Sequence, residues 1–129
     1  MFDLNTLAVK NTLVVELRNP ETDEVIKDSK GNVPSIELYS QGSKEYRSAL
    51  NKLLNVSLKR GKKTPSAESF REEQTDLLVA ITVDVKNISI GGSAITKENV
   101  RELYENTSLF WIRDQVDAAT QDISLQLGK

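Results

Sequence analysis

The sequence predicts an α+β fold, helix-dominated, with a small N-terminal antiparallel β meander over residues 1–42 followed by about four helices over residues 43–129. Three observations predict it. Short β-branched runs alternate with turn residues through the first forty positions. From Tyr46 onward, apolar residues recur at intervals of three and four, the spacing of a helix face. A chain of 129 residues suits one domain with one core.

Taken in order, Thr12-Leu13-Val14-Val15-Glu16-Leu17-Arg18 is rich in branched side chains that pack well on a pleated surface, so it reads as a strand. Asn19-Pro20-Glu21-Thr22-Asp23 is a turn, because proline fixes φ and Asn or Asp satisfies turn amides with its own side chain. Glu24 to Lys27 reads as a return strand, Asp28-Ser29-Lys30-Gly31-Asn32 as a second turn, and Ile36 to Tyr39 as a half-buried strand. A helix follows from about Ser43 to Lys59, with Tyr46, Leu50, Leu53, Leu54 and Ser57 in one stripe and Ser43 as N-cap. Thr64-Pro65 would cap the next helix, whose face carries Ala67, Phe70, Gln74, Leu77, Leu78, Ile81 and Val85. The stretch Leu78 to Val85 is also branched enough for a strand, but the unbroken helical spacing favours helix. Asn87 to Ala94 reads as a loop broken by Gly91-Gly92. Thr96 caps a short helix, Lys97 to Glu105, with Val100, Leu103 and Tyr104 inward. A last helix carries Ile112, Val116, Ala119, Ile123 and Leu127 in a single stripe.

The chain contains neither cysteine nor histidine. That removes Cys- or His-based zinc sites, haem and iron–sulfur ligation, and Ser-His-Asp or Cys-His nucleophile pairs. An enzyme would have to work through carboxylates, lysine or tyrosine alone, so a non-enzymatic role without a cofactor is expected. The start, Met1-Phe2-Asp3-Leu4, lacks a basic region followed by an apolar one, which predicts no signal peptide. The longest apolar stretch, Leu77 to Val83, falls far short of the roughly 20 residues a bilayer span requires, so no membrane partner is expected.

Charge is unevenly spread. Residues 1–63 hold 11 Lys or Arg against 8 Asp or Glu, whereas residues 64–129 hold 6 against 11. Such asymmetry fits head-to-tail self-association or a charged partner as well as it fits two ordinary solvated faces. Lys59, Arg60, Lys62 and Lys63 surround Gly61 and form a candidate loop for an anionic partner. No aromatic residue lies inside the cluster for base stacking, and the protein is mildly acidic, so nucleic acid is disfavoured. Glu72 and Asp76, four apart, could hold a divalent cation, although acidic residues near a helix start are ordinarily a solvated, dipole-friendly arrangement. Asp28 to Asn32 lacks the alternating acidic ligands of a calcium loop and reads as a turn. Phe110-Trp111 is the densest aromatic point, either core or an interface anchor.

Several short segments follow one another in a suggestive order: Val83-Asp84-Val85-Lys86-Asn87-Ile88, then Gly91-Gly92, then Ile95-Thr96-Lys97-Glu98-Asn99-Val100, then Leu103-Tyr104, then Trp111-Ile112-Arg113-Asp114-Gln115-Val116. This series resembles the C-terminal core of the small tail assembly chaperones of long-tailed, siphovirus-type phages. It covers roughly residues 78–123, with Val85 where that family often has Trp and Ser124-Leu125 where it usually has Asn-Phe. The resemblance implies a non-enzymatic morphogenesis factor, the short product of a frameshifted pair. Its implied partners are the tape-measure protein, further copies of itself and the longer frameshift form. It would act in the host cytoplasm and be absent from the finished virion. On this reading Phe110, Trp111, Ile112 and Val116 form a partner or self-association surface. The competing readings are a structural tail-completion subunit and a small nucleic-acid-binding accessory protein.

Overall fold

A three-stranded antiparallel sheet draws its strands from both sides of a pair of helices. In the computed structural model, which describes residues 1–60 and 66–128, the strands β1 (Thr12–Glu16), β2 (Ser35–Tyr39) and β3 (Thr82–Lys86) lie in the order β1-β2-β3. Helices α1 (Lys44–Arg60) and α2 (Ala67–Ile81) intervene between β2 and β3. The alternation read from the sequence sets the faces. Leu13, Val15, Ile36, Leu38 and Val85 turn to the core, while Val14, Glu16 and Glu37 turn outward or to the margin. Val15 stands opposite Ile36, and Ile36 opposite Val85. Glu37 pairs with Asp84 but its neighbour Leu38 pairs with Thr82, so Val83 is an extra residue in a β-bulge.

The mixed, helix-rich class is as expected, but the third strand is not where the sequence placed it. Glu24 to Lys27 contributes only an isolated bridge, Arg18 to Val25, and the sheet is completed by β3. The helix expected to run through Val85 stops at Ile81. Ile81, Thr82, Val83 and Val85 are all β-branched, which costs χ1 freedom on a helix and suits a pleated sheet. The Thr82 hydroxyl donates to the Leu78 carbonyl at 2.7 Å, satisfying one of the last free acceptors of α2.

Local signals are otherwise obeyed closely. Ser43 caps α1, its Oγ accepting from the Tyr46 N–H at 3.0 Å and donating to the Ser40 carbonyl at 2.8 Å. Asp28 Oδ1 accepts from the amides of Lys30 at 2.8 Å and Asn32 at 2.9 Å, and these bonds hold its carboxyl below the usual range. Ser66, rather than Thr64, caps α2 by accepting from the Ser69 N–H at 3.0 Å; Thr64 and Pro65 lie outside the described residues. The expected loop after β3 is a hairpin of β4 (Ser89–Ile90) and β5 (Ser93–Ala94). Its two turn residues, Gly91 and Gly92, both take positive φ, 57° and 84°, as a mirror-image two-residue turn requires.

Thr96 leads through a single 3-10 turn into α3 (Val100–Glu105), which buries Val100, Leu103 and Tyr104 as expected. The final helix is broken in two. α4 (Phe110–Ala119) ends where the Thr120 hydroxyl donates to the Asp117 carbonyl at 2.6 Å. Asp122 then caps α5 (Ile123–Gln126), accepting from the Leu125 N–H at 3.1 Å. The predicted stripe therefore stops at Ala119, and Ile123 is exposed. Gln126 is buried and ties the C-terminal turn to the N-terminal region. Its Oε1 accepts from the Gln41 N–H at 3.0 Å, its Nε2 donates to the Thr120 carbonyl at 3.1 Å, and its own carbonyl accepts from the Lys10 N–H at 2.9 Å. Among the described residues no helix is long and apolar enough to cross a membrane.

Candidate functional site

The face of α2 that carries Glu68, Arg71, Glu72 and Thr75 does not close against α3 and α4. A cleft of about 690 Å³ remains, bounded on the far side by Tyr104, Glu105, Phe110, Arg113 and Asp114. Its shape follows from spacing: Glu68, Arg71, Glu72 and Thr75 lie at helical intervals on α2, and Phe110, Arg113 and Asp114 do so on α4. Thr75 is buried, its hydroxyl donating to the Arg71 carbonyl at 3.0 Å. Four carboxylates (Glu68, Glu72, Glu105 and Asp114) and two arginines line the cleft, leaving it acidic on balance.

The two arginines are constrained. The Arg113 guanidinium reaches across to donate to the Arg71 carbonyl at 2.9 Å, joining α4 to α2 at the cleft wall. Partial burial, then the nearby Arg71 charge, pushes its pKa down. Below the cleft, Arg101 of α3 is hydrogen-bonded to Asp76 of α2 and lies 3.6 Å from Glu105. Its pKa is raised, chiefly by the Asp76 bond. Glu72 and Asp76, paired by the sequence as possible cation ligands, are thus divided between the cleft wall and an ion pair. Among the described residues no group of three or more acidic side chains could hold a metal ion.

Deeper still, Tyr104 closes the cleft against the core. Thr82 Oγ1 already donates to Leu78, so the Tyr104 hydroxyl donates to Thr82 across 2.8 Å. Burial pushes the phenol up to about 12.

The structure separates the four residues expected to share a partner surface. Phe110 is 63% exposed on the cleft rim. Trp111 is half-buried and packs on the core. Ile112 and Val116 are only 5% and 0% exposed, so they belong to the core and are withdrawn from the surface. The reason is rotational. A helix with one packed face turns positions 112, 116 and 119 inward together, and Phe110 lies about 200° from Ile112 at 100° per residue. Of the cationic set, Lys59 is exposed at the end of α1, while the Arg60 side chain, Lys62 and Lys63 lie outside the described residues.

Sequence reasoning missed the charged walls, Glu68, Arg71, Glu105, Arg113 and Asp114. The intervals from Phe110 to Arg113 and Asp114 were a usable signal, since three and four residues on a helix mark one face. What joins that face to α2 is tertiary and left no local trace. No family model matches the chain, and neither the curated proteins nor the solved structures include a match.

Proposed function

We propose that the chain is a non-enzymatic tail assembly chaperone of long-tailed phages that holds an amphipathic helical segment of the tape-measure protein in the cleft between α2 and α4. The observation that carries the reading is Phe110, a large aromatic side chain 63% exposed on the rim of an acidic cleft of about 690 Å³. An aromatic anchor ringed by charge is a common way to hold an apolar helix face in register. The ordered series of segments in residues 78–123 adds the phage-tail assignment. On this reading the protein works in the host cytoplasm, alongside its longer frameshift form, and is left out of the finished particle. The charged walls favour a client helix with lysine or arginine flanking its apolar stripe.

The test is co-expression with the tape-measure protein of the same genome, followed by affinity purification at moderate salt. Co-purification that Phe110→Ala abolishes supports the reading. Failure of both the chain and its longer form to retain a folded tape-measure protein overturns it. Recovery of the chain in purified particles at stoichiometric amounts would instead identify a structural tail subunit.

A further inference from the structure

α1 packs by one narrow face and turns the rest to solvent. Its half-buried side chains, Tyr46, Ala49, Leu50 and Leu53, centre on one line of the helix at about 100° per residue. Within about 70° of the opposite line lie four exposed cations, Lys44, Arg47, Lys52 and Lys59, and no carboxylate. Glu45, the one carboxylate of α1, falls outside that arc. The arc is ordered across its width as well. Ser48, Asn51 and Asn55 run along its middle behind Lys44, with Arg47 on one margin and Lys52 and Lys59 on the other. Among the described residues, none of the four cations makes an ion pair or a side-chain hydrogen bond. Arginines elsewhere are occupied by the fold: Arg18 bonds to the Asp23 carbonyl, Arg101 to Asp76 and Arg113 to the Arg71 carbonyl. Past Leu53 every described side chain of α1 is exposed, so its last turns stand clear of the body.

We propose that this outward arc of α1 binds duplex DNA, its marginal cations against the two phosphate backbones and its neutral donors toward the floor of a major groove. A B-form major groove, about 12 Å wide, admits one helix. Cations on both margins with hydroxyl and amide groups between them match two anionic walls and a hydrogen-bonding floor. The missing aromatic residue that disfavours single strands has no bearing on a duplex, whose bases stay stacked. An acidic protein segment would need the cations but not their division into two margins. An anionic lipid surface would need one continuous apolar face. Leu58 is the only apolar side chain in the arc, and Leu54 and Val56 fall on opposite flanks of it. The inference goes beyond the chaperone reading and does not depend on it, since the client cleft is built from α2, α3 and α4.

The test is fluorescence anisotropy of a short labelled DNA duplex of mixed sequence, titrated with the full chain at several salt concentrations. Four phosphate contacts predict roughly a hundredfold loss of affinity between about 50 and 200 mM salt. Arg47→Gln and Lys52→Gln should each weaken binding and flatten the salt slope by about 1. Asn51→Ala should weaken binding and leave the slope unchanged, because a neutral donor releases no counterion. Lys86→Gln, at an exposed cation of β3, should change neither. All these side chains are exposed, and an unchanged urea midpoint checks that each variant is folded. No salt-dependent binding of the duplex by the wild type overturns the proposal, as does a loss in Lys86→Gln equal to that in Arg47→Gln. Displacement of the duplex by polyglutamate of equal charge overturns it in favour of an acidic protein surface. Retention on phosphatidylglycerol vesicles that requires Leu58, without duplex binding, overturns it in favour of a membrane. Equal affinity for duplex RNA, whose major groove is too narrow for a helix, overturns the placement in the groove. Tape-measure capture by Arg47→Gln should stay at the wild-type level, so that the two readings fail separately.

Discussion

Gln115 of α4 grips the main chain of Arg18 with both ends of its carboxamide. Nε2 donates to the Arg18 carbonyl at 2.8 Å, and Oε1 accepts from the Arg18 N–H at 2.9 Å. These are the two groups a neighbouring strand would have bonded, at the point where the chain leaves β1 along the edge of the sheet. One side chain thus closes part of an edge and fastens α4 to it. The adjacent pair Gln115-Val116 divides its work: Gln115 holds the edge and Val116 fills the core.

Replacing Gln115 by Ala removes both bonds, but Arg18 is exposed and water can replace part of what is lost. The expected cost is about 1 kcal/mol. It should appear as a lower urea midpoint with an unchanged slope. Gln115→Glu keeps the acceptor and loses the donor, so it should fall between Ala and wild type. An Ala variant as stable as the parent would mean that the grip is incidental.

Gln126 offers the same chemistry under greater burial. Its side chain serves Gln41 on one side and Thr120 on the other, and Gln126 and Thr120 are both buried. Gln126→Leu strands those partners, at a cost of about 2 kcal/mol. For a chain of this size that corresponds to a fall in Tm of roughly 8 °C. Because the residue fastens the C-terminal turn to the Ser40–Gln41 region, hydrogen exchange of the Gln41 and Lys10 amides should accelerate before the amides of β2 do. Simultaneous acceleration throughout would show that the C-terminal turn is not a separately opening unit.

How much of this was legible in the sequence depends on how local each cause is. Ser43, Asp28 and Gly91-Gly92 act on their own neighbours, and each made the cap or turn its residue type allows. The inward set Val100, Leu103 and Tyr104 was also readable, because one packed face imposes one period. Val85 was misread because 78, 81 and 85 keep helical spacing whether or not the chain remains helical. What ended the helix was a free position beside β2, and that lies some forty-five residues away along the chain. Ile123 was misread for the opposite reason, as a local cap at Asp122 overrode a continuing apolar period. The cleft was half legible: Phe110 was identified, but its charged surroundings come from three helices that only tertiary packing brings together.

Tyr104 makes stability depend on pH at the alkaline end. Burial holds the folded phenol near 12, against an ordinary value of 10.0. Below pH 10 both states are neutral and the contribution is fully present. Between pH 10 and 12 the unfolded chain releases its phenolic proton while the folded chain keeps it, so stability falls as pH rises. Two pH units correspond to roughly 3 kcal/mol. Tyr104→Phe should lose the bond to Thr82 at neutral pH, at about 1 kcal/mol, and should flatten this alkaline slope. A slope identical in the two proteins would assign the alkaline loss to other groups.

The separation of Ile112 from Phe110 gives the sharpest test of which residues carry function. Both were candidates for one surface, but Ile112 is 5% exposed and Phe110 63%. Ile112→Ala leaves a cavity among packed side chains and should cost about 2–4 kcal/mol in denaturant unfolding. Any loss of binding it causes should track the unfolded fraction and recover on cooling toward maximal stability. Phe110→Ala removes little buried contact, so its stability should stay within about 0.5 kcal/mol of the parent. It should nevertheless weaken client capture, because truncating an aromatic anchor removes the contact itself. The two variants therefore predict opposite pairings of stability and binding. If Phe110→Ala is destabilising and binds normally once folded, the cleft rim is packing, and the partner surface must be sought on α1 or on the apolar N-terminal residues Phe2 and Leu4.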